Sequence, residues 1–205
     1  MSGVFATAPS RMLILVRHGQ STANRDGLLV GHLDVELTEE GRAQAARLQH
    51  ALSGTERVIS SPLSRARETA ILAVPHLIPE ADDAFIEMNY GELDGQLLRD
   101  VGAATWKILQ EDHERVVPGG ESMADVDRRV HARLDSLFAE EAELIANPTK
   151  HLVIFSHVSP VKSAVAWALA VHGAVAWRIR LDNATMTSIT SVAGRPSMVG
   201  YNVRP

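Results

Sequence analysis

No cysteine occurs among the 205 residues. That absence removes disulfide staples, thiolate metal sites and every enzyme built on a cysteine nucleophile, cysteine-dependent phosphatases included. Aromatic residues are only 4%, and 25 Asp and Glu outnumber 20 Lys and Arg, a formal net charge of −5. A nucleic-acid binder needs a basic face and stacking rings, so no nucleic-acid partner is expected. No apolar run reaches the ~18 residues of a membrane span; the longest, Val161 to Val171, is interrupted by Lys162. The N-terminus lacks the charged-then-apolar layout of a secretion signal, its first charge being Arg11. These gaps predict a cytoplasmic protein with no membrane partner. Phosphate-loop, dinucleotide-fingerprint and His-Glu-x-x-His patterns are also missing, and the nine histidines include no His-x-His pair. No metal and no cofactor is expected.

What is there reads as one α/β domain over residues 1–205, with residues 1–10 as a loose lead-in. Met12-Leu13-Ile14-Leu15-Val16 and Leu152-Val153-Ile154-Phe155 are continuous apolar runs, as in strands buried on both faces. Val58-Ile59 is a shorter strand, and Ala84 to Met88 reads as a third short extended segment. Thr38 caps a helix with Glu39 and Glu40 in its first turn. Ser61-Pro62 reads as the cap and first residue of another helix. Ser122-x-x-Asp125 is a capping box opening a long helix, whose apolar period runs from Met123 through Val126, Val130, Leu134, Leu137 and Phe138 to Leu144 and Ile145. Asn147-Pro148 stops it. Pro160 to Ala170 is helical. Met186 to Val192 and Ser197 to Val203 read as two strands. Residues 95–121 form a partly helical excursion, read as a small lid. The expected fold is a three-layer sandwich: a central, mostly parallel sheet with helices on both faces.

Both long strands end on chemistry. Val16 runs into Arg17-His18-Gly19, and Phe155 into Ser156-His157. In open α/β sheets ligands bind beyond the carboxyl ends of the strands, so Arg17, His18 and His157 are expected at one rim. Arg65, one turn into the helix after Val58-Ile59, reaches back to it, whereas Arg67 points to solvent. Two arginines, two histidines and helix N-termini suit an anionic tetrahedral group such as phosphate. The other histidines, His32, His50, His76, His113, His131 and His172, are read as surface or loop residues. His151 lies at the far end of the strand from His157.

The run Arg17-His18-Gly19-Gln20-Ser21-Thr22-Ala23-Asn24 resembles the signature of the histidine phosphatase superfamily, the phosphoglycerate mutase-like enzymes. The resemblance continues in order through Gly31, Asp34, Leu37-Thr38, Gly41 and Gln44-Ala45, then Ser60 to Ala70. It extends through Glu87-Met88-Asn89-Tyr90-Gly91-Glu92-Leu93-Asp94-Gly95, Pro118-Gly119-Gly120-Glu121-Ser122 and Ser156-His157. It implies that His18 is the nucleophile, forming a phosphohistidine. Arg17, Arg65 and His157 would clamp the phosphoryl oxygens, with Asn24 as a further donor. Glu87 would be the general acid and then the base that activates water. In-line positioning and charge stabilisation are most of what phosphoryl transfer asks of a protein.

Three departures stand out. Gln20 replaces a frequent glutamate, Val158 follows His157 where small residues are common, and the chain lacks the extra segments of the true mutases. The leading expectation is a metal-independent phosphatase acting on a phosphomonoester of a small metabolite. A 2,3-bisphosphoglycerate-dependent phosphoglycerate mutase is the alternative, and a non-catalytic phospholigand-binding protein a third. Trp106, Lys107, Glu121 and Ser122 stand between structural duty and the pocket edge. A homodimer stays open.

Overall fold

Alternate residues of the first apolar run face opposite sides of a sheet, and both sides are covered, so the run carries no polar alternation. The computed structural model describes residues 12–140, 150–171 and 173–205. In it this run is strand β1, Met12–Arg17. Leu13 and Leu15 join one buried cluster; Ile14 and Val16 join the other. Strand β2, Thr55–Ser60, divides Ile59 and Val58 between the two clusters in the same way. So does β4, His151–Ser156, with Leu152 and Ile154 on one face and Val153 and Phe155 on the other.

The sheet has six strands in the order β3-β2-β4-β1-β5-β6, with β3 at Glu80–Ala81, β5 at Met186–Val192 and β6 at Arg195–Val203. The first four in that order pair in parallel, whereas β5 runs antiparallel to β1 and β6 antiparallel to β5. The expected α/β sandwich with a mostly parallel centre is what the chain forms. Helices α5, Met123–Glu140, and α6, Val158–Leu169, cover one face with Val126, Val130, Leu134, Leu137 and Val161. On the other face lie Leu48 and Leu52, just past helix α2 (Glu39–Arg47), and Ala70 and Ala73 of α3 (Ser64–Ala73). A short α1, Thr22–Asp26, follows β1, and α4, Ala103–Glu111, is the helical part of the excursion.

Cap chemistry holds at two sites. Thr38 Oγ1 accepts the Gly41 N–H at 3.0 Å. Ser122 Oγ accepts the Asp125 N–H at 3.1 Å, while the Asp125 carboxylate takes the Ser122 N–H at 2.8 Å. Two expectations are corrected. Helix α3 starts at Ser64 with Leu63 as an N-cap that makes no side-chain bond, not at Ser61-Pro62: among the described residues Ser61 Oγ accepts only one backbone N–H, that of Leu63 at 3.3 Å, and the Asp34 carboxylate takes the Ser64 N–H at 2.9 Å. Residues 83–85 form a 3-10 turn capped by Asp82, and the short strand lies before it at Glu80–Ala81. The lead-in over residues 1–10, Leu144, Ile145, Asn147-Pro148 and His172 lie outside the described residues.

Candidate active site

Sheet register aligns three strand ends. Arg17 pairs with Ser156, and Ser60 pairs with Phe155. The residues that follow each strand therefore emerge side by side: His18, Ser61 and His157. The His18 N–H donates to Ser156 O at 2.9 Å, and the Ser61 N–H to Phe155 O at 2.9 Å, extending the ladders one residue past the strands. The two imidazoles stand 5.1 Å apart, centre to centre.

Backbone packing explains the glycine after His18. A Cβ on Gly19 would lie 2.4 Å from Gly41 O, and one on Gly41 would lie 2.0 Å from Gln20 O. Only a glycine pair lets the start of α2 press against the His18 loop. Thr69 of α3 holds that loop from the other side, its Oγ1 accepting the Gly19 N–H at 3.0 Å and donating to Arg65 O at 2.6 Å.

His18 is 4% exposed. Its Nδ1 lies 2.7 Å from Gly19 O. A carbonyl only accepts, so Nδ1 carries the proton and Nε2 of the neutral ring keeps its lone pair. Burial pushes the His18 pKa well below its ordinary value, and the charges of Arg17 and Arg65 push it further. His157 is fully buried and shifted the same way, by burial and then by Arg65, His18, Arg17 and Arg129. Its Nε2 meets Ser61 Oγ at 2.7 Å, while its Nδ1 is buried and without a partner among the described residues.

Cations and a carboxylate close the group. Arg17 donates from Nη1 to Leu181 O at 2.6 Å, and its Nε is buried and unpartnered among the described residues. Arg65 is 2% exposed and spends two N–H groups on Gly31 O and Leu33 O, at 2.7 and 3.1 Å. Glu87 is 5% exposed. Its Oε1 accepts from Met88 N at 2.8 Å and Ser159 N at 3.1 Å, its Oε2 from Val158 N at 3.0 Å. Two of these donors are the first N–H groups of α6, the end of a helix that favours an acidic partner. Arg17, His18, Asn24, Arg65 and Glu87 line one cavity of about 240 Å³. The rest of its lining is mostly apolar, with Leu28, Leu98, Trp106, Val158 and Trp177.

A description of the histidine phosphatase superfamily (branch 1) matches residues 13–204. The chain belongs to that superfamily. It is 32% identical over 201 residues to phosphoserine phosphatase 1 of Hydrogenobacter thermophilus, covering 93% of this chain and 92% of that one. It is 36% identical over 156 residues to a 2,3-bisphosphoglycerate-dependent phosphoglycerate mutase of Brucella ovis, covering 67% of this chain and 75% of that one. A mycobacterial glucosyl-3-phosphoglycerate phosphatase solved with vanadate superposes with a TM-score of 0.86 at 27% identity, over 95% of this chain and 100% of that one. Some curated relatives are longer: against mycobacterial proteins 29% identical over 187 residues, the chain spans about half (50%) of their length.

For a chain of the histidine phosphatase superfamily, the fate of each expected residue is now visible. Arg17, His18, Arg65, His157, Glu87 and Asn24 converge. Asn24 Oδ1 accepts from Ser21 N and Asn183 Nδ2, at 3.1 and 3.0 Å. Gln20 turns away, its Oε1 accepting from Thr38 Oγ1 at 2.8 Å. Val158 lines the cavity, as does Trp106, edge-on to Trp177 at 6.3 Å. Lys107 is exposed beside Glu111. Glu121 is held by Arg129 at 2.9 Å and by Asn89 N at 2.9 Å, so its carboxylate is structural. His32 is exposed but bonds Glu87 O at 2.9 Å through Nε2. His131 lies on α5, not in a loop, and both it and His113 are half-buried beside Asp127. Ser61, Thr69, Asn183 and Arg129 were not expected at the site. Arg129 also donates to Ala84 O and Glu87 O, at 2.7 and 3.3 Å, fixing the segment that carries Glu87. Asp94 performs the same service for the Gly31–Leu33 loop, taking all three of its N–H groups at 2.9, 2.9 and 3.0 Å.

Proposed function

We propose that this protein is a phosphoric monoester hydrolase that works through a phosphohistidine at His18. The observation that carries the reading is the His18 ring: neutral, with its proton committed to Gly19 O through Nδ1, and its Nε2 lone pair beside two guanidinium groups. Nε2 attacks phosphorus in line, the N–P bond forms, and the ester P–O bond breaks. Arg17, Arg65, His157 Nδ1 and the Asn24 amide bind the phosphoryl oxygens as charge spreads over them. Glu87 gives its proton to the departing alkoxide. It then takes a proton from the water that attacks phosphohistidine, and inorganic phosphate leaves. The arginines supply the positive charge that a metal supplies elsewhere, so the scheme uses none.

The cavity volume suits a small phosphorylated molecule rather than a nucleic acid. The excursion over residues 95–121 serves as the lid, since Trp106 of α4 forms part of the cavity wall. No helix among the described residues is long and apolar enough to cross a membrane, and a cysteine-free chain fits the cytoplasm. The mutase relative makes isomerisation the second reading. Arg17 and Arg65 are the only cations that line the cavity among the described residues, and both serve the transferred phosphoryl group, which favours hydrolysis.

His18→Ala is expected to lose at least ~10³-fold in turnover. Alkaline quench of the wild-type protein during turnover, where the N–P bond survives, is expected to yield a phosphorylated peptide containing His18. Normal turnover by His18→Ala overturns the scheme. Release of 2-phosphoglycerate instead of phosphate, from 3-phosphoglycerate plus the bisphosphate, establishes the mutase.

A further inference from the structure

Beside the cavity, two hydrogen-bond donors stand idle. Trp177 Nε1 is buried and has no partner among the described residues. Lys162, one turn along α6 from Val158, is half-buried, and among the described residues its ammonium has neither an ion pair nor a hydrogen bond. Both side chains line a second, smaller cavity of about 30 Å³. Its walls at Tyr90, Val158 and Trp177 are shared with the main cavity, so the two spaces adjoin.

Lys162 belongs electrostatically to the site. Burial lowers its pKa, the charge of Glu87 raises it and that of Arg17 lowers it again. A half-buried ammonium with no counter-ion in contact is costly unless something supplies one. Packing alone needs only the aliphatic stem. No carboxylate lines the small cavity, and its remaining hydroxyls, Tyr90 and Ser159, face each other at 3.5 Å. The unspent groups are both donors, one of them charged, so the missing guest is an anionic acceptor. The space takes one or two water-sized groups, which suits a planar carboxylate.

We propose that Lys162 and Trp177 Nε1–H form a carboxylate subsite, and that the substrates are phosphomonoesters whose leaving group carries a carboxylate a few bonds from the ester oxygen. This rests on the phosphatase reading above. With the phosphoryl group at His18, such a carboxylate lies past Tyr90 and Val158, against the Lys162 ammonium. The apolar wall at Leu28, Leu98 and Trp106 packs against the carbon skeleton.

Matched substrates test it. O-phosphoserine and O-phosphoethanolamine differ only in the carboxylate; 3-phosphoglycerate and glycerol 3-phosphate differ in a carboxylate against a hydroxymethyl group. The wild-type kcat/KM is expected to favour the carboxylate member at least ~10-fold in each pair, the scale of a charge-assisted bond. Lys162→Gln is expected to erase that preference, mainly through KM, and Lys162→Arg to restore part of it. Trp177→Phe keeps the ring and loses the donor, and is expected to lower the preference several-fold. A ratio within one protein cancels any loss of folded enzyme. No carboxylate preference in the wild type, or one that survives Lys162→Gln, overturns the subsite. Hydrolysis of p-nitrophenyl phosphate with none of the four substrates turned over overturns it too, leaving the phosphatase reading intact. Failure to hydrolyse p-nitrophenyl phosphate as well removes that reading, and the subsite with it.

Discussion

Glu87 shows how much one side chain can owe to its neighbours' backbone. Both of its oxygens accept N–H groups, from Met88, Val158 and Ser159. A glutamine there must turn its NH2 toward at least one of those donors, whichever way the amide lies. A buried donor left unpaired costs about 1–3 kcal/mol. Glu87→Gln is therefore expected to lower the unfolding midpoint in denaturant as well as to remove the carboxyl proposed to carry the proton. The leaving group separates the two effects. An alkyl alcohol needs the proton in the transition state, whereas p-nitrophenolate hardly does. Single-turnover phosphorylation of His18 is expected to slow by ~10²-fold or more with alkyl phosphates, and by much less with p-nitrophenyl phosphate. Equal losses on both would assign the Glu87 carboxyl a purely positional task. Ser61 is the companion case. Its place before a proline and a helix is the pattern of a cap, and its Oγ does accept the Leu63 N–H at 3.3 Å, yet the helix starts only at Ser64 and the same hydroxyl meets His157, 96 residues away.

At the scale of elements, the site depends on how closely α2 approaches the loop after β1. Gly19 and Gly41 meet backbone to backbone, and neither partner atom is a side chain that can swing aside. Gly41→Ala is expected to shift the start of α2, costing about 1–3 kcal/mol of stability as overpacking does, and to lower kcat by moving the loop that bears His18. An alanine at Gly27, whose Cβ would meet nothing within 4 Å, adds no contact of that kind. Its φ of 70° makes it the control for backbone strain alone. Chemical denaturation and a turnover assay on the two variants check this; unchanged activity in Gly41→Ala would show that α2 does not set the loop. The buried strands were legible in the sequence because a two-residue alternation inside an apolar run is a local signal. So were Thr38 and Ser122, whose cap bonds reach three residues. The convergence of Arg17, His18 and His157 followed from strand ends. Arg129, Asn183 and Trp177 had no such signal, because each acts on a segment distant in sequence through an orientation that only tertiary packing sets.

At the scale of the whole molecule, an acidic chain of net charge −5 carries two arginines, Arg17 and Arg65, in one cavity, so attraction of the proposed phosphoryl group depends on them locally rather than on the overall field. The same arrangement couples catalysis to acid stability. His18 and His157 are buried, stand 5.1 Å apart, and share the repulsion of both arginines. In the unfolded chain each imidazole binds a proton near pH 6.5. In the folded protein each stays neutral well below that. Between those limits the unfolded state holds more protons, so stability rises with pH and falls as pH drops below about 6.5. Two such groups give a slope approaching ~2.7 kcal/mol per pH unit. Carboxylates held low by ion pairs, such as Asp182 and Asp125, work in the same direction but lose their contribution only near and below pH 4. The window from pH 6.5 to 5 therefore separates the two histidines from those carboxylates. Urea unfolding across it is expected to show stability falling steeply in the wild-type protein and about half as steeply in His18→Gln. A flat profile, or an identical slope in the variant, would mean that the rings take up protons in the folded state. His18 would then carry a second proton below about pH 6.5 and offer its lone pair only above it, so this one measurement bears on the stability and on the nucleophile together.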